Sequence, residues 1–329
     1  MDARNAIELL GRFFLMPAGM SMASLLLLSR WMPERYAAGC GLACAMLVGF
    51  LALNDVGEGL EQLLPTSHWH WLAWLPAIAL IPFGLVSEDK TGRAKRYSSF
   101  VLVSVVASVV LVPDWPPLDD SRMLYRICLC ASAACSCMAI DFAVSRAHPA
   151  WLLGLIGASL LVMAPLLAFF LSVTYATVMT IAAGSVVGLA VARFRSGDRD
   201  AVRPVARATA PIAVLLLFGG CFIGFVDRDP PLYGFLTVGA LPVVPMLFAM
   251  RPGKPGSVAR KFAEVACGVV VFGVAAAVLH FETRTEPLAS EPPEAQQSEP
   301  ASEDDWFQQL DRLDDDTTES KRPRTSSTP

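Results

Sequence analysis

Carboxylates and imidazoles gather in one polar stretch, NDVGEGLEQLLPTSHWHW, at residues 54–71. These two kinds of side chain together can bind a metal ion or serve as general acid and base. The stretch therefore predicts an ion site or a catalytic surface. Its four candidate residues are Asp55, Glu58, His68 and His70. Three nearby tryptophans support a second interpretation, in which an aromatic belt lies at a membrane interface and the histidines only accompany it.

The segment LYRICLCASAACSCMAIDFAV, residues 124–144, contains four of the chain's eight cysteines. On an α-helix Cys128 and Cys135 share one face, and Cys130 and Cys137 share nearly the opposite face. The members of each pair lie about 10.5 Å apart along the axis, whereas a zinc ion needs ligands at about 2.3 Å. We interpret the cysteines as small packing residues and expect neither metal nor cofactor. A Cu(I) cluster of thiols from several helices is the alternative.

Long apolar runs are the elements that would position these residues. The 329-residue chain is 54% hydrophobic and 17% charged, whereas a soluble domain is about one-quarter charged. Ten runs approach the length of about 20 residues that crosses a bilayer core as a helix. They span about residues 13–29, 36–53, 69–86, 98–113, 123–144, 150–171, 175–192, 208–226, 232–249 and 262–280. The predicted fold is all-α, a polytopic integral membrane helical bundle of about ten transmembrane helices, with eight or nine as alternatives.

The sixth and seventh runs are almost continuous. Together they span about 43 residues, roughly twice what one crossing needs. This length predicts a tight hairpin near residues 172–174.

The interior of the runs contains small and polar residues but no charge. Asp, Glu, Lys, Arg and His are absent from the middle third of every run. Because ionisable groups inside a membrane usually mark ion or proton paths, this absence argues against a proton pump or a voltage sensor. Small residues at four-residue spacing, such as Gly41 with Gly49 and Gly184 with Gly188, predict close contacts between helices.

Arg126 and Asp141 flank the cysteine-rich segment. They lie fifteen residues apart, which is about 22 Å along a helix, so they cannot touch. We interpret both as residues near a membrane boundary, where the arginine can extend to the lipid headgroups.

Basic residues predict the orientation of the chain. The loops 87–97, 193–207 and 250–261 contain four, five and four Lys and Arg residues. An even number of runs separates each loop from the next, so all three lie on one side, which we expect to be the cytoplasm. The lipid bilayer is then a partner of the chain, and we expect no nucleic acid as a partner. The expected location is a bacterial inner membrane. With ten crossings, the C-terminal tail emerges on the outer side.

The C-terminal residues differ in composition from the rest. From residue 281 to the end the chain has 13 acidic and 5 basic residues. This composition predicts a membrane domain at 1–281 and a disordered acidic tail at 282–329. One island, at 304–313, follows helical spacing and is a candidate partner-binding helix. Its apolar residues are Trp306, Phe307, Leu310 and Leu313. An incidental apolar cluster in a solubilising tail is the alternative.

Function is less constrained than fold, because the chain contains no phosphate-binding glycine loop, HExxH, GxSxG or CxxC motif. Our first hypothesis is a non-enzymatic membrane protein whose tail recruits a protein partner. The alternative is a permease or flippase for a neutral or lipidic solute. Its path would lie at the ninth run, where Pro242 and Pro245 predict a broken helix. An envelope enzyme with its site on the 54–71 stretch is the third hypothesis.

Overall fold

The computed structural model describes residues 8–53, 65, 70–84, 92–112, 121–146, 148–194, 199–226, 232–239, 244, 247–248 and 258–285. Within these ranges the secondary structure is helical, with short turns. The helices are α1 (Glu8–Leu28), α2 (Glu34–Leu53), α3 (Trp71–Gly84), α4 (Gly92–Leu111), α5 (Arg122–Arg146), α6 (Pro149–Phe170), α7 (Val173–Phe194), α8 (Arg199–Val226), α9 (Gly234–Val238) and α10 (Val258–Thr285). The chain divides into two compact units, Met1–Glu282 and Thr283–Pro329. Of the second unit, the structure describes only the end of α10.

Eight of the described helices are long and apolar enough to cross a membrane. They are all but α3 and α9, and they confirm the predicted helical membrane bundle. In the third run, α3 has 14 residues, or about 21 Å of helix. The ninth run contributes the five-residue α9, and most of its remainder lies outside the described residues. The count of ten crossings stays a prediction.

The hairpin predicted near residues 172–174 is confirmed, since only Leu171 and Ser172 separate α6 from α7. The Ser172 hydroxyl accepts a hydrogen bond of 3.2 Å from the Thr174 N–H. It thereby satisfies one of the backbone donors that the start of a helix leaves unpaired. At the other end of α6, Pro149 occupies the first turn, where the missing N–H of proline costs nothing.

A π-helical turn, Gly11–Leu15, interrupts α1 just before Pro17. Proline has no N–H to donate, so the regular hydrogen-bond ladder cannot continue through this position. The N–H of Met16 instead donates to the carbonyl of Gly11, one residue further back than in an α-helix. Local π-helical geometry is a common way of absorbing such a defect.

The helix α8 lies at the centre of the bundle. It packs against α2 to α7 and against α9, and nearly all of its apolar length is buried. The peripheral helices are α1 and α10, which leave most of their apolar surface exposed. Such surface is expected of helices that face lipid, because lipid tails are as apolar as the side chains they cover.

Contacts between helices show the direction in which each one runs. Near the start of α2, a Cβ placed on Gly39 would meet Leu80, in the last part of α3. Close to the end of α8, a Cβ on Gly219 would meet Leu72, near the start of α3, and Leu111, the last residue of α4. The consecutive helices α2, α3 and α4 therefore run in alternating directions.

Candidate functional site

Charged side chains of the described helices lie near the two ends of the bundle. We call one end of the bundle the Arg96 end. The helices α1, α3, α5 and α7 end there, and α2, α4, α6, α8 and α10 begin there. The opposite one, which includes the start of α1, is the Arg12 end. Two charged side chains are buried among the described residues, Asp141 and Glu264, and both belong to the Arg96 end.

An ion pair joins α4 and α5 at the Arg96 end. The Nη1 of Arg96 lies 3.2 Å from Oδ1 and 3.5 Å from Oδ2 of Asp141. The side chains of Arg96 and Asp141 are 17% and 9% exposed. Asp141 lies in the last turns of α5, in agreement with its interpretation as a residue near a membrane boundary. The sequence did not predict that its carboxylate is buried and is stabilised by a guanidinium on the neighbouring helix. The prediction that Arg126 cannot reach it is consistent with this pairing.

Two further contacts join helices at the same end. Arg193, in the last turn of α7, forms an ion pair with Glu34, the first residue of α2. The indole N–H of Trp151 in α6 donates a hydrogen bond of 2.7 Å to the Glu264 carboxylate in α10. A buried carboxylate is costly without a donor, so this contact compensates for the burial of Glu264 and holds the start of α10 against the bundle.

Backbone groups take part in the contacts at the Arg12 end. The Arg12 guanidinium donates to the carbonyl of Ala52, which belongs to the last turn of α2 and has no partner within an ideal helix. The N–H of Gly234, at the start of α9, donates a hydrogen bond of 3.0 Å to the Glu282 carboxylate in α10. The helix α10 is therefore held by a carboxylate near each of its ends.

Aromatic rings fill the space between α5, α8 and α9 at this end. The ring of Tyr125 lies 6.3 Å from that of Phe222 and 5.9 Å from that of Phe225. Phe225 in turn contacts Tyr233 edge-on at 5.2 Å. Edge-on aromatic contacts at such distances stabilise beyond the area that they bury.

The centre of the bundle is held by close backbone contacts instead of charges. A Cβ placed on Gly184 would fall within 3.0 Å of the Phe14 carbonyl oxygen in α1, and one on Gly188 within 3.0 Å of the Ala18 carbonyl oxygen. The contacts predicted from the glycine spacing are thus confirmed for this helix pair. The fully buried Ser21 hydroxyl donates a hydrogen bond of 2.8 Å to the Ser185 carbonyl across the same interface.

The cysteines on α5 lie on two faces, as the sequence predicts. Cys128 and Cys135 are exposed, whereas Cys130 is half-buried and Cys137 is buried. The thiol of Cys137 lies 3.5 Å from the Pro211 carbonyl oxygen in α8 and donates to it. In the part of the chain that the structure describes, no group of three or more His, Cys, Asp or Glu side chains is arranged to hold a metal ion.

Few of the site residues predicted from the sequence can be placed. His70 is half-buried beside α3, with its ring 5.3 Å from that of Phe50. The other three candidates of the 54–71 stretch lie outside the described residues, as do the ninth-run prolines Pro242 and Pro245 and the tail residues Trp306, Phe307, Leu310 and Leu313. All these assignments stay predictions.

The polar contacts at the Arg96 end were not predicted from the sequence. The available signal is that the acids Glu34, Asp141 and Glu264 lie at or near helix ends beside basic loops. An acid in that position has arginines within reach on other helices. No protein-family model, curated protein sequence or solved structure matches the chain.

Proposed function

We propose that the chain is a non-enzymatic, multi-pass membrane protein that recruits a protein partner through its C-terminal segment. The placement of polar groups supports this proposal. The buried carboxylates Asp141 and Glu264 each bind a side chain of a neighbouring helix, and the central contacts of α1 with α7 are made by glycines. Both features serve to hold helices together, as an anchor requires.

The way in which α10 is attached also favours this role. Glu264 binds Trp151 near the start of the helix, and Glu282 binds the N–H of Gly234 near its end. These two contacts hold α10, the helix that precedes the C-terminal segment, to the bundle near both of its ends. Within that segment, the spacing of the apolar residues at 304–313 is that of a helix which places one face in a partner's groove.

The test is capture of a partner by the full-length chain from solubilised membranes. We expect Trp306→Ala to remove the captured protein, because aromatic anchors supply most of the binding energy of such helices. Gln309→Ala, in the same island but outside the apolar set, should leave capture unchanged. Equal capture by the native chain and by Trp306→Ala would exclude the island as the binding element.

We also propose that the chain lies in a bacterial inner membrane, with the loops 87–97, 193–207 and 250–261 in the cytoplasm and the tail outside. The support is the excess of Lys and Arg in those loops. In a cysteine-free background, an impermeant thiol reagent applied outside should label Ser302→Cys and not Ser196→Cys. The reverse pattern would invert the topology, and labelling of neither would place the tail in the cytoplasm.

A further inference from the structure

Two arginines lie at the Arg96 end of α8, the most deeply buried of the described helices. Arg203 and Arg207 are four residues apart on α8, so they share one face of the helix. Both are half-buried, and Val205 and Ala206 between them are fully buried. Arg207 is the ninth residue of α8, about 12 Å from its start.

Contacts between α5 and α8 give the depth of Arg207. The two helices are antiparallel, with Tyr125 beside Phe222 and the Cys137 thiol 3.5 Å from the Pro211 carbonyl oxygen. Four residues beyond Cys137 is Asp141, and four residues before Pro211 is Arg207. Each is therefore about 6 Å along its helix from the same contact and in the same direction, so Asp141 and Arg207 lie at the same depth.

The charges of the described residues placed at this depth do not balance. The carboxylate of Asp141 is already bound by Arg96. The Nε of Arg207 is buried and has no hydrogen-bond partner among the described residues. Among the described residues that these contacts place at this depth, there are therefore two guanidinium groups, those of Arg96 and Arg207, and one carboxylate. A buried donor without an acceptor is costly, and an anion would satisfy both the donor and the excess of positive charge.

We propose that Arg203 and Arg207 bind a phosphate group at the Arg96 end of the bundle. A guanidinium presents a planar fork of donors that matches phosphate oxygens, and the charge strengthens each hydrogen bond. Basic pockets between membrane helices bind acidic lipid headgroups in this way. The chemistry is shared by the headgroup of an anionic lipid and by free phosphate. The site goes beyond partner recruitment and does not depend on it.

The experiment measures thermal unfolding of the full-length chain in detergent, with three probes titrated in parallel. They are dioctanoylphosphatidylglycerol, dioctanoylglycerol, which has the same acyl chains without phosphate, and inorganic phosphate. A ligand that binds only the folded state raises Tm with concentration, and the rise gives its affinity. We expect the phosphatidylglycerol to raise Tm and the dioctanoylglycerol to leave it unchanged. An equal rise with inorganic phosphate would support the site and identify free phosphate as its ligand.

Arginine variants test the residues themselves. Arg207→Gln should weaken binding of the phosphatidylglycerol at least about tenfold, because it removes a charged hydrogen-bond donor. Arg203→Gln, one turn nearer the start of α8, should weaken it in the same direction and serves if Arg207→Gln does not fold. The control is Arg30→Gln, which removes an exposed arginine at the same end and should bind as the native chain does. Unchanged affinity in either folded α8 variant, or an equal rise with dioctanoylglycerol, would overturn the proposal.

Discussion

The ion pair between Arg96 and Asp141 should contribute measurably to the stability of the bundle. At a separation of 3.2 Å and an effective dielectric constant of about 20, the Coulomb attraction is about 5 kcal/mol. The side chains are 17% and 9% exposed, so desolvation and partial screening offset part of this energy. We expect a net coupling energy of about 2 kcal/mol, between the values typical of surface pairs and the full attraction.

A double-mutant cycle measures this coupling. Asp141→Asn removes the carboxylate charge at nearly constant volume, and Arg96→Met removes the guanidinium while keeping an apolar stem. Each single change leaves an uncompensated charge in a largely buried position, which costs about 3 kcal/mol. The double variant leaves neither charge, so it should be about 2 kcal/mol more stable than the sum of the single effects predicts. Reversible unfolding of the full-length chain in mixed detergent micelles, followed by circular dichroism, gives the four free energies.

The pair between Glu34 and Arg193 is the matched control for this cycle. It joins two helices at the same end, but the Glu34 side chain is 32% exposed. Because water screens that charge more strongly, its cycle with Glu34→Gln and Arg193→Met should give less than about 1 kcal/mol. Additive effects of the Asp141 and Arg96 variants, or a larger coupling in the more exposed pair, would refute the reasoning that burial sets the strength of these contacts.

Two further predictions concern the centre of the bundle and use the same unfolding measurement. Gly188→Ala should destabilise the bundle by about 1–3 kcal/mol, because its Cβ would overlap the Ala18 carbonyl oxygen. Gly19→Ala, where the added Cβ meets no atom within 4 Å, should be neutral or stabilising. Equal effects of the two substitutions would contradict the close contact. Ser21→Ala should lower the free energy of unfolding by about 1 kcal/mol through loss of the hydrogen bond across the interface. Ser104→Ala removes a buried hydroxyl that lacks a partner among the described residues, so it should not destabilise the bundle. A loss of stability in Ser104→Ala comparable to that in Ser21→Ala would contradict this assignment.

Features that depend on one helix at a time were predictable from the sequence. The length of an apolar run predicts a crossing helix, because an α-helix satisfies its own backbone groups in lipid. The same counting predicts the turn at Leu171 and Ser172, since the two runs together are too long for one helix. Helical periodicity alone also separates Cys128 from Cys137, now seen on an exposed and a buried face.

Features that depend on the register of one helix against another were not predictable. The spacing of Gly184 and Gly188 predicts a close contact, but not that α1 provides it. For the same reason the partner of Asp141 was not predicted. Its distance from Arg126 follows from the helix geometry of α5, whereas its partner Arg96 lies on α4. Which residues of two antiparallel helices meet depends on the length of their connection and on the packing of all their neighbours, and no single-helix pattern contains that information.

Helices meet through close backbone contacts at the centre of the bundle and through charged contacts at its ends. This difference follows from the surroundings, which are hydrocarbon at the centre and lipid headgroups at the ends. In the hydrocarbon layer, apolar burial gives little driving force between helices, so close approach of backbones at Gly184 and Gly188 must supply the attraction. A charge there would be expensive, and none of the helices described has one in its middle. Towards the headgroups the cost of charge falls, and a carboxylate such as Asp141 or Glu264 can select its partner by hydrogen bonding. Substitutions at the centre should therefore act through shape and those at the Arg96 end through charge. The Nε of Arg207, which has no hydrogen-bond partner among the described residues, lies at that end, where a charged ligand can reach it.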